Sequence, residues 1–261
     1  MGSRLLINKT IAGVAIFVTH LLLLPNTAIA SWSILVSLIV LALILKAWDV
    51  VLLPILLLLM ATTGFYFPNQ ISRWPSLPFL IPFILTALVA LPFNSWRNNL
   101  NWFKVGKIDR LTIGLIVGTG FIATGALIAW GFWSESMALY LIFARIMHKY
   151  SAWLVLGLCI PAFALLNAFA EEVVYRGVLQ EAFSRTFGEK HWVTLVLPSA
   201  AFAAAHVAVG FPNGKVGYVM VLFYGLMLGY LRSRTRGILV PYLAHILADL
   251  TIGYFLYFRT L

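Results

Sequence analysis

Long apolar stretches recur along almost the whole chain, separated by short polar segments. Each stretch is close to the 20 or so residues that a helix needs to cross a bilayer. The stretches lie at 10–25, 31–46, 50–67, 77–93, 111–133, 152–171, 192–209, 216–231 and 238–258. The pattern therefore predicts an all-α, polytopic transmembrane bundle of about eight or nine spans.

Composition excludes the main alternative, a soluble domain. The 261 residues are 62% hydrophobic and 10% charged, whereas soluble domains have roughly 45 to 50% apolar and about 25% charged residues. The lone cysteine, Cys159, has no partner for an intrachain disulfide. Lipid is therefore the expected solvent of most of the surface.

The net charge of +10 might suggest a nucleic-acid partner, but in a membrane protein basic loops mark the cytoplasmic side. A cytoplasmic N-terminus places 13 of the 18 basic residues inside. These are Arg4, Lys9, Lys46, Arg97, Lys104, Lys107, Arg110, Arg176, Arg185, Lys190, Arg232, Arg234 and Arg236. The other five are Arg73, Arg145, Lys149, Lys215 and Arg259. We expect this orientation and no nucleic-acid partner.

The first apolar stretch has two interpretations. It follows Arg4 and Lys9, and the sequence AIAS at 28–31 resembles a signal-peptide cleavage site. Because further spans follow immediately, an uncleaved membrane anchor explains the same pattern and is favoured.

A basic, Trp-containing loop at 95–110 divides the chain. Before it, the spans carry no carboxylate except Asp49 and no histidine except His20. After it lie six of the eight acidic residues and four of the five histidines. We therefore predict an N-terminal transmembrane scaffold at 1–110 and a catalytic core at 111–261.

The first polar cluster of the core ends a long apolar run. Glu172 and Arg176 are four residues apart, so on a helix they can pair. Glu171 points about a quarter-turn away and has no local cation. The alternative is a helix that leaves the membrane here, with both carboxylates reaching water.

Two further clusters lie inside later spans. His206 follows Phe202 in an alanine-rich run, and a lone histidine is more often a structural core residue. His245 and Asp249 are one helical turn apart on the same face. Inserting an ionisable side chain into a membrane costs about 2.5 to 3.5 kcal/mol of free energy on insertion scales. A pair of such residues within a span therefore indicates a functional role.

Together the three clusters suit the activation of water. Three helices can converge to surround one cavity with carboxylates and imidazoles, which supply a general base and a donor to an oxyanion. Two other hypotheses remain open. The same side chains could bind a catalytic zinc ion, although no HExxH motif is present, or a non-catalytic transport or binding protein could use the buried charges.

The motifs resemble those of one family. EEVVYR at 171–176 is similar to EExxxR, FAAAH at 202–206 to FxxxH, and HILAD at 245–249 to Hxxx(N/D). In this order, on successive helices, they resemble the CPBP intramembrane proteases, which include CAAX prenyl endopeptidases and bacterial proteins linked to bacteriocin maturation. The resemblance implies an all-helical glutamic endopeptidase that forms no covalent acyl-enzyme and needs no cofactor.

The resemblance also implies roles for the motif residues. Glu171 would activate water with the help of His206, and His245 would stabilise the oxyanion. Glu172 would pair with Arg176 to support the site, with Phe202 as a further supporting residue. Asp249 stands where prenyl endopeptidases have Asn. Since an ionised Asp249 would repel the oxyanion, it is either protonated or orients His245.

The expected partners follow from the same resemblance. They are membrane lipid and a membrane-associated peptide or protein, such as a peptide precursor or a C-terminal sorting tail. Bacterial relatives favour the inner membrane of a bacterium as the location. The aromatic segment at 253–258 could line a substrate pocket, although an interfacial aromatic belt is the more common meaning of such a segment.

Overall fold

A computed structural model of the chain shows a bundle of helices. The structure describes residues 2–21, 28–48, 50–66, 77–93, 100–134, 148–209 and 211–259, and these form helices and no strand. The all-helical prediction is thus confirmed. Three basic residues of the topology argument lie outside the described residues, namely Arg73, Arg97 and Arg145, and so does Asp49.

Nine helices occur in the described part of the chain, and each overlaps one of the apolar stretches found in the sequence. They are α1 Gly2–Leu21, α2 Ala28–Ile44, α3 Leu52–Tyr66, α4 Leu77–Ala90, α5 Arg110–Trp133, α6 Ala152–Phe187, α7 Val193–Val209, α8 Gly214–Thr235 and α9 Leu239–Arg259. Polar and turn-forming residues separate them. The apolar stretches therefore locate each of the nine described helices, although they misplace some ends.

Four of these helices, α5, α6, α8 and α9, are long and apolar enough to cross a membrane, and the other five are shorter apolar helices. Large side chains on the outside are apolar too: Phe121 is 75% exposed and Trp133 is 92% exposed. Such a surface needs a lipid environment. The protein is an integral membrane protein, and the full count of eight or nine spans stays a prediction.

Helix α6 is longer than its apolar run suggests. The run ends near residue 171, but the helix continues to Phe187 and is 36 residues long in all. It includes two π-helical segments, Val155–Cys159 and Val173–Leu179. All seven residues of the second segment are buried. The helix therefore does not leave the bundle after its two glutamates, because the following residues pack in the interior. π-Helical turns are frequent at functional sites.

The largest hydrophobic cluster joins the N-terminal helices to the second half of α6. Leu53 and Leu56 of α3 belong to the same cluster as Val174 and Phe183. The connecting segment before α5 adds Trp102, which is buried in this cluster. The N-terminal region thus packs directly against the helix that carries the first motif.

Glycine is required where α6 meets that tryptophan. A Cβ atom added at Gly177 would lie 2.7 Å from the Trp102 ring, closer than van der Waals contact allows. The close approach of the ring to the helix backbone therefore depends on the missing side chain.

Several segments assigned to the cytoplasmic side meet at one end of the bundle. Backbone hydrogen bonds connect the segment before α5 to the turn between α8 and α9, with Lys107 N donating to Thr235 O at 2.8 Å. Ion pairs add to this assembly: Glu181–Arg232, Asp109–Arg234 and Glu189–Arg236. These basic residues thus lie at one end of the bundle, and the cytoplasmic orientation stays a prediction.

Asp109 caps the N-terminus of α5 at this end. Its carboxylate accepts hydrogen bonds from the hydroxyl and the backbone N–H of Thr112, both at 2.7 Å. These bonds, with a smaller contribution from Arg234, lower the pKa of Asp109 to about 2. The capping arrangement therefore favours the ionised carboxylate.

Candidate active site

The imidazole of His245, on α9, lies among three carboxyl groups. Its Nδ1 is 2.8 Å from Glu172 Oε1, and its Nε2 is 3.4 Å from Glu171 Oε2 and 3.8 Å from Asp249 Oδ1. All four residues are buried. The helical-face argument for His245 and Asp249 is thus confirmed in geometry, and α9 and α6 bring two of the three motifs together.

Glu172 and Arg176 form the ion pair that their spacing predicts. Arg176 Nη1 is 3.1 Å from Glu172 Oε1, with 1% and 0% of the two side chains exposed. Arg176 Nη2 also donates to the backbone carbonyl of Gly225 on α8 at 3.1 Å, and its guanidinium lies 4.6 Å from the centre of the Phe202 ring. Arg176 therefore connects α6 to both α7 and α8.

Glu171 does not reach water as the alternative interpretation of this segment required. It is 7% exposed and faces His245, which comes from a different helix. The cation missing from its own helix is therefore supplied across the bundle whenever His245 is protonated. Sequence spacing could not show this contact, because the two residues are more than 70 positions apart.

His206 lies beside this group, on α7. Its Nδ1 is 3.0 Å from the carbonyl oxygen of Phe202. Since a carbonyl only accepts, Nδ1 carries the proton, and Nε2 of the neutral ring is left as an acceptor. The Phe202 ring contacts both histidines, with centroid distances of 4.7 Å to His206 and 5.7 Å to His245. Phe202, the first residue of the second motif, therefore packs between His206 and His245.

Two residues at the site were missed in the sequence. Asn167 on α6 donates from Nδ2 to Asp249 Oδ2 at 3.1 Å. The Tyr224 ring on α8 lies edge-on to His245 at 5.6 Å. Asn167 had a usable signal, since it is a polar residue inside an apolar run and one turn before Glu171. Tyr224 had none, because tyrosines are common in the chain.

The set of side chains differs from that of a metal centre. In the part of the chain that the structure describes, no group of three or more His, Cys, Asp or Glu residues is placed to bind a metal ion. The contacts of the His245 ring nitrogens explain why, since both are directed at carboxyl groups. That the reaction needs no cofactor stays a prediction.

Comparison with known families identifies the part of the chain that carries the site. Residues 151–251 match the family described as type II CAAX prenyl endopeptidase Rce1-like. This segment is therefore similar to the CAAX proteases. The matched range contains all three motifs and every buried ionisable residue around His245, which confirms the resemblance seen in the sequence. No curated protein and no solved structure matches the chain.

The match is confined to the C-terminal part of this integral membrane protein. It covers most of α6 to α9 and leaves α1 to α5 without a counterpart. The roles of individual residues are not part of that finding.

Proposed function

We propose that the protein is an intramembrane glutamic endopeptidase that hydrolyses a peptide bond in a membrane-associated peptide or protein. The observation that carries the proposal is the buried arrangement of Glu171, His245 and Asp249 within the segment that matches a protease family. Buried ionisable groups are costly in a membrane and are retained mainly where they act.

In this proposal Glu171 is the general base. Its carboxylate takes a proton from water while the water oxygen adds to the peptide carbonyl carbon. The same proton then passes to the amide nitrogen as the C–N bond breaks, which yields a new carboxyl group and a free amine. His206 assists through Nε2, which can accept a hydrogen bond from the attacking water because Nδ1 is committed to Phe202.

His245 is the donor that stabilises the oxyanion. Since its Nδ1 faces the Glu172 carboxylate, Nε2 can donate only when both ring nitrogens carry protons. Asp249 orients this ring from one helical turn away, which fits its distance of 3.8 Å from Nε2 better than direct contact with an oxyanion. Glu172, Arg176 and Phe202 hold the helices around the ring in place.

The proposed topology has a cytoplasmic N-terminus, eight or nine spans and a location in the inner membrane of a bacterium. The convergence of basic loops at one end of the bundle supports the orientation. His245 is six residues into α9 from that end, which is roughly 9 Å along the helix. The peptide bond would therefore be cut towards the cytoplasmic face, by a core at 111–261 supported by a scaffold at 1–110.

Proposed substrates are peptide precursors or C-terminal sorting tails, with prenylated C-termini as the class that the family description names. A groove of about 830 Å³ between α5 and α9 has mainly apolar walls. Tyr254, Phe255 and Phe258 are among its lining residues, which supports the idea that the aromatic segment at 253–258 lines a pocket. An apolar chain in the membrane could approach the protein along this groove.

The test uses purified protein in lipid and a peptide panel that includes a farnesylated CAAX peptide and unprenylated tails. We expect Glu171→Gln and His206→Ala to abolish cleavage that the wild-type protein performs. Glu181→Gln is the matched control, because Glu181 pairs with Arg185 and Arg232 away from His245. Undiminished cleavage by Glu171→Gln would eliminate the glutamate mechanism, and loss of wild-type cleavage on adding a chelator would favour a metal.

A further inference from the structure

Asn167 is a buried amide that the proposed mechanism does not use. It lies on α6 four residues, about one turn, before Glu171 and is 7% exposed. Its Nδ2 donates to Asp249 Oδ2 at 3.1 Å, which connects α6 to α9. The catalytic glutamate of the proposal and this amide therefore lie on one face of the same helix.

The two oxygens of Asp249 have different neighbours. Oδ2 accepts from Asn167, and Oδ1 lies 3.8 Å from His245 Nε2. Rotation of the carboxyl group away from His245 would break the bond to Asn167. The amide thus fixes the orientation in which Asp249 faces the imidazole.

The chemistry of the amide suits this place. Three carboxyl groups already surround His245. The guanidinium of Arg176 pairs with one of them, Glu172. An amide supplies an N–H donor to Asp249 without adding another charge to a buried cluster, and additional buried charge is costly. A lysine or an aspartate at this position would change the charge of the cluster.

We infer that Asn167 is a positioning residue, which acts through Asp249 to hold the His245 imidazole opposite Glu171. The inference rests on the proposed function, because it assigns Asn167 to the reaction only if His245 and Glu171 perform it. It predicts that removing the amide slows the chemical step and leaves substrate binding nearly unchanged. It also predicts that the effect disappears when Asp249 is absent.

Gln180 provides a matched control for a purely structural role. It is also a buried amide on α6, and its Nε2 donates to Gly229 O and Ser233 Oγ on α8, both at 2.9 Å. It lies nine residues beyond Glu171, away from His245. Gln180→Ala therefore removes inter-helix hydrogen bonds of the same kind without touching Asp249.

The kinetic test compares Asn167→Ala, Asp249→Ala and the double variant on whichever peptide of the panel the wild-type protein cleaves. We expect Asn167→Ala to lower kcat roughly tenfold or more, since small misplacements of catalytic groups have effects of this size, with KM little changed. In the Asp249→Ala background the same substitution should have no further effect. Equal, additive losses in both backgrounds would overturn the inference.

A second readout does not depend on cleavage. The imidazole ¹⁵N signals of His245, assigned with a His245→Gln sample, should shift in Asn167→Ala but stay unchanged in Gln180→Ala. If Asn167→Ala does not fold, Asn167→Ser gives the same test, because a serine hydroxyl is too short to replace the bond. An unchanged His245 signal would overturn the inference. Undiminished cleavage by Glu171→Gln would instead overturn the proposed function and leave this test of the contact valid.

Discussion

The N-terminal helices α1 to α4 and the C-terminal helices α6 to α9 have different kinds of interior. Buried residues of the first group are mostly aliphatic, such as Leu35, Leu53 and Leu56. The second group buries charged side chains, among them Glu172 and Arg176, at 0% and 1% exposure. Apolar packing is sufficient to hold a bundle together, whereas burying a charge in a membrane costs free energy. The buried charges of the second group therefore indicate where chemistry is expected.

Each buried charge of the second group has a partner from another helix or another turn. His245 contacts Glu171, Glu172 and Asp249, and Arg176 contacts Glu172. In the first group, side-chain fit is the source of stability. The two regions should therefore respond differently to substitution: the second in both stability and activity, and the first in stability alone.

The largest effect is expected from removing the buried cation. Arg176→Ala removes the arginine partner of Glu172, and breaking a buried pair costs about 3 to 5 kcal/mol. We expect a large fall in the free energy of unfolding in detergent, together with loss of cleavage. Arg185→Ala is the control, because its pair with Glu181 is partly exposed and pairs of that kind contribute about 1 kcal/mol or less. Similar losses in both variants would contradict the distinction.

The next largest effect on stability is expected from truncating a core side chain in the N-terminal helices. Leu56→Ala should lower the free energy of unfolding by about 2 to 4 kcal/mol, because the side chain is fully buried and leaves a cavity. We expect kcat per folded molecule to stay at the wild-type value. Leu88→Ala, at a side chain that is 57% exposed, should change little. A lower kcat for folded Leu56→Ala would show that the first region participates in the reaction.

A smaller loss of stability is expected from disturbing the contact between the two regions. Gly177→Ala would force the Trp102 ring away from α6, and overpacking typically costs about 1 to 3 kcal/mol. Gly157→Ala is the control on the same helix, since an added Cβ there meets no atom within 4 Å. Thermal unfolding of both variants measures the difference. Equal unfolding midpoints would show that Trp102 does not hold the two regions together.

The sequence predicts those features of the structure that depend on residues close together in the chain, and it does not predict contacts between distant helices. The described helices were found because they follow from apolar stretches. Helix α6, however, continues past Glu171, where one interpretation of the sequence had the helix leave the membrane. Its glutamates stay buried because His245 contacts them from α9, and no local pattern reports such a contact. The Glu172–Arg176 pair was predictable because its partners are one turn apart.

The smallest effect is expected at Asp109, where the segment between the two regions ends. Its folded pKa of about 2 lies below the ordinary value of 3.8, so its stabilising contribution is complete above about pH 4 and is lost as the pH falls through about 2. The protection of the first turn of α5 against hydrogen exchange, relative to the intrinsic rate at each pH, should therefore fall on acidification. Asp109→Asn removes the titration, and an unchanged pH dependence in that variant would contradict the assignment.

Whether the C-terminal core cleaves a membrane substrate through Glu171 is tested most directly by trapping that substrate. Tagged Glu171→Gln, Glu181→Gln and wild-type protein are recovered from membranes, and bound peptides are identified by mass spectrometry. We expect an uncleaved peptide that is enriched with Glu171→Gln alone and is cut when wild-type protein in lipid is added. Equal recovery from all three proteins, with no cleavage on adding the wild-type protein, would contradict the account.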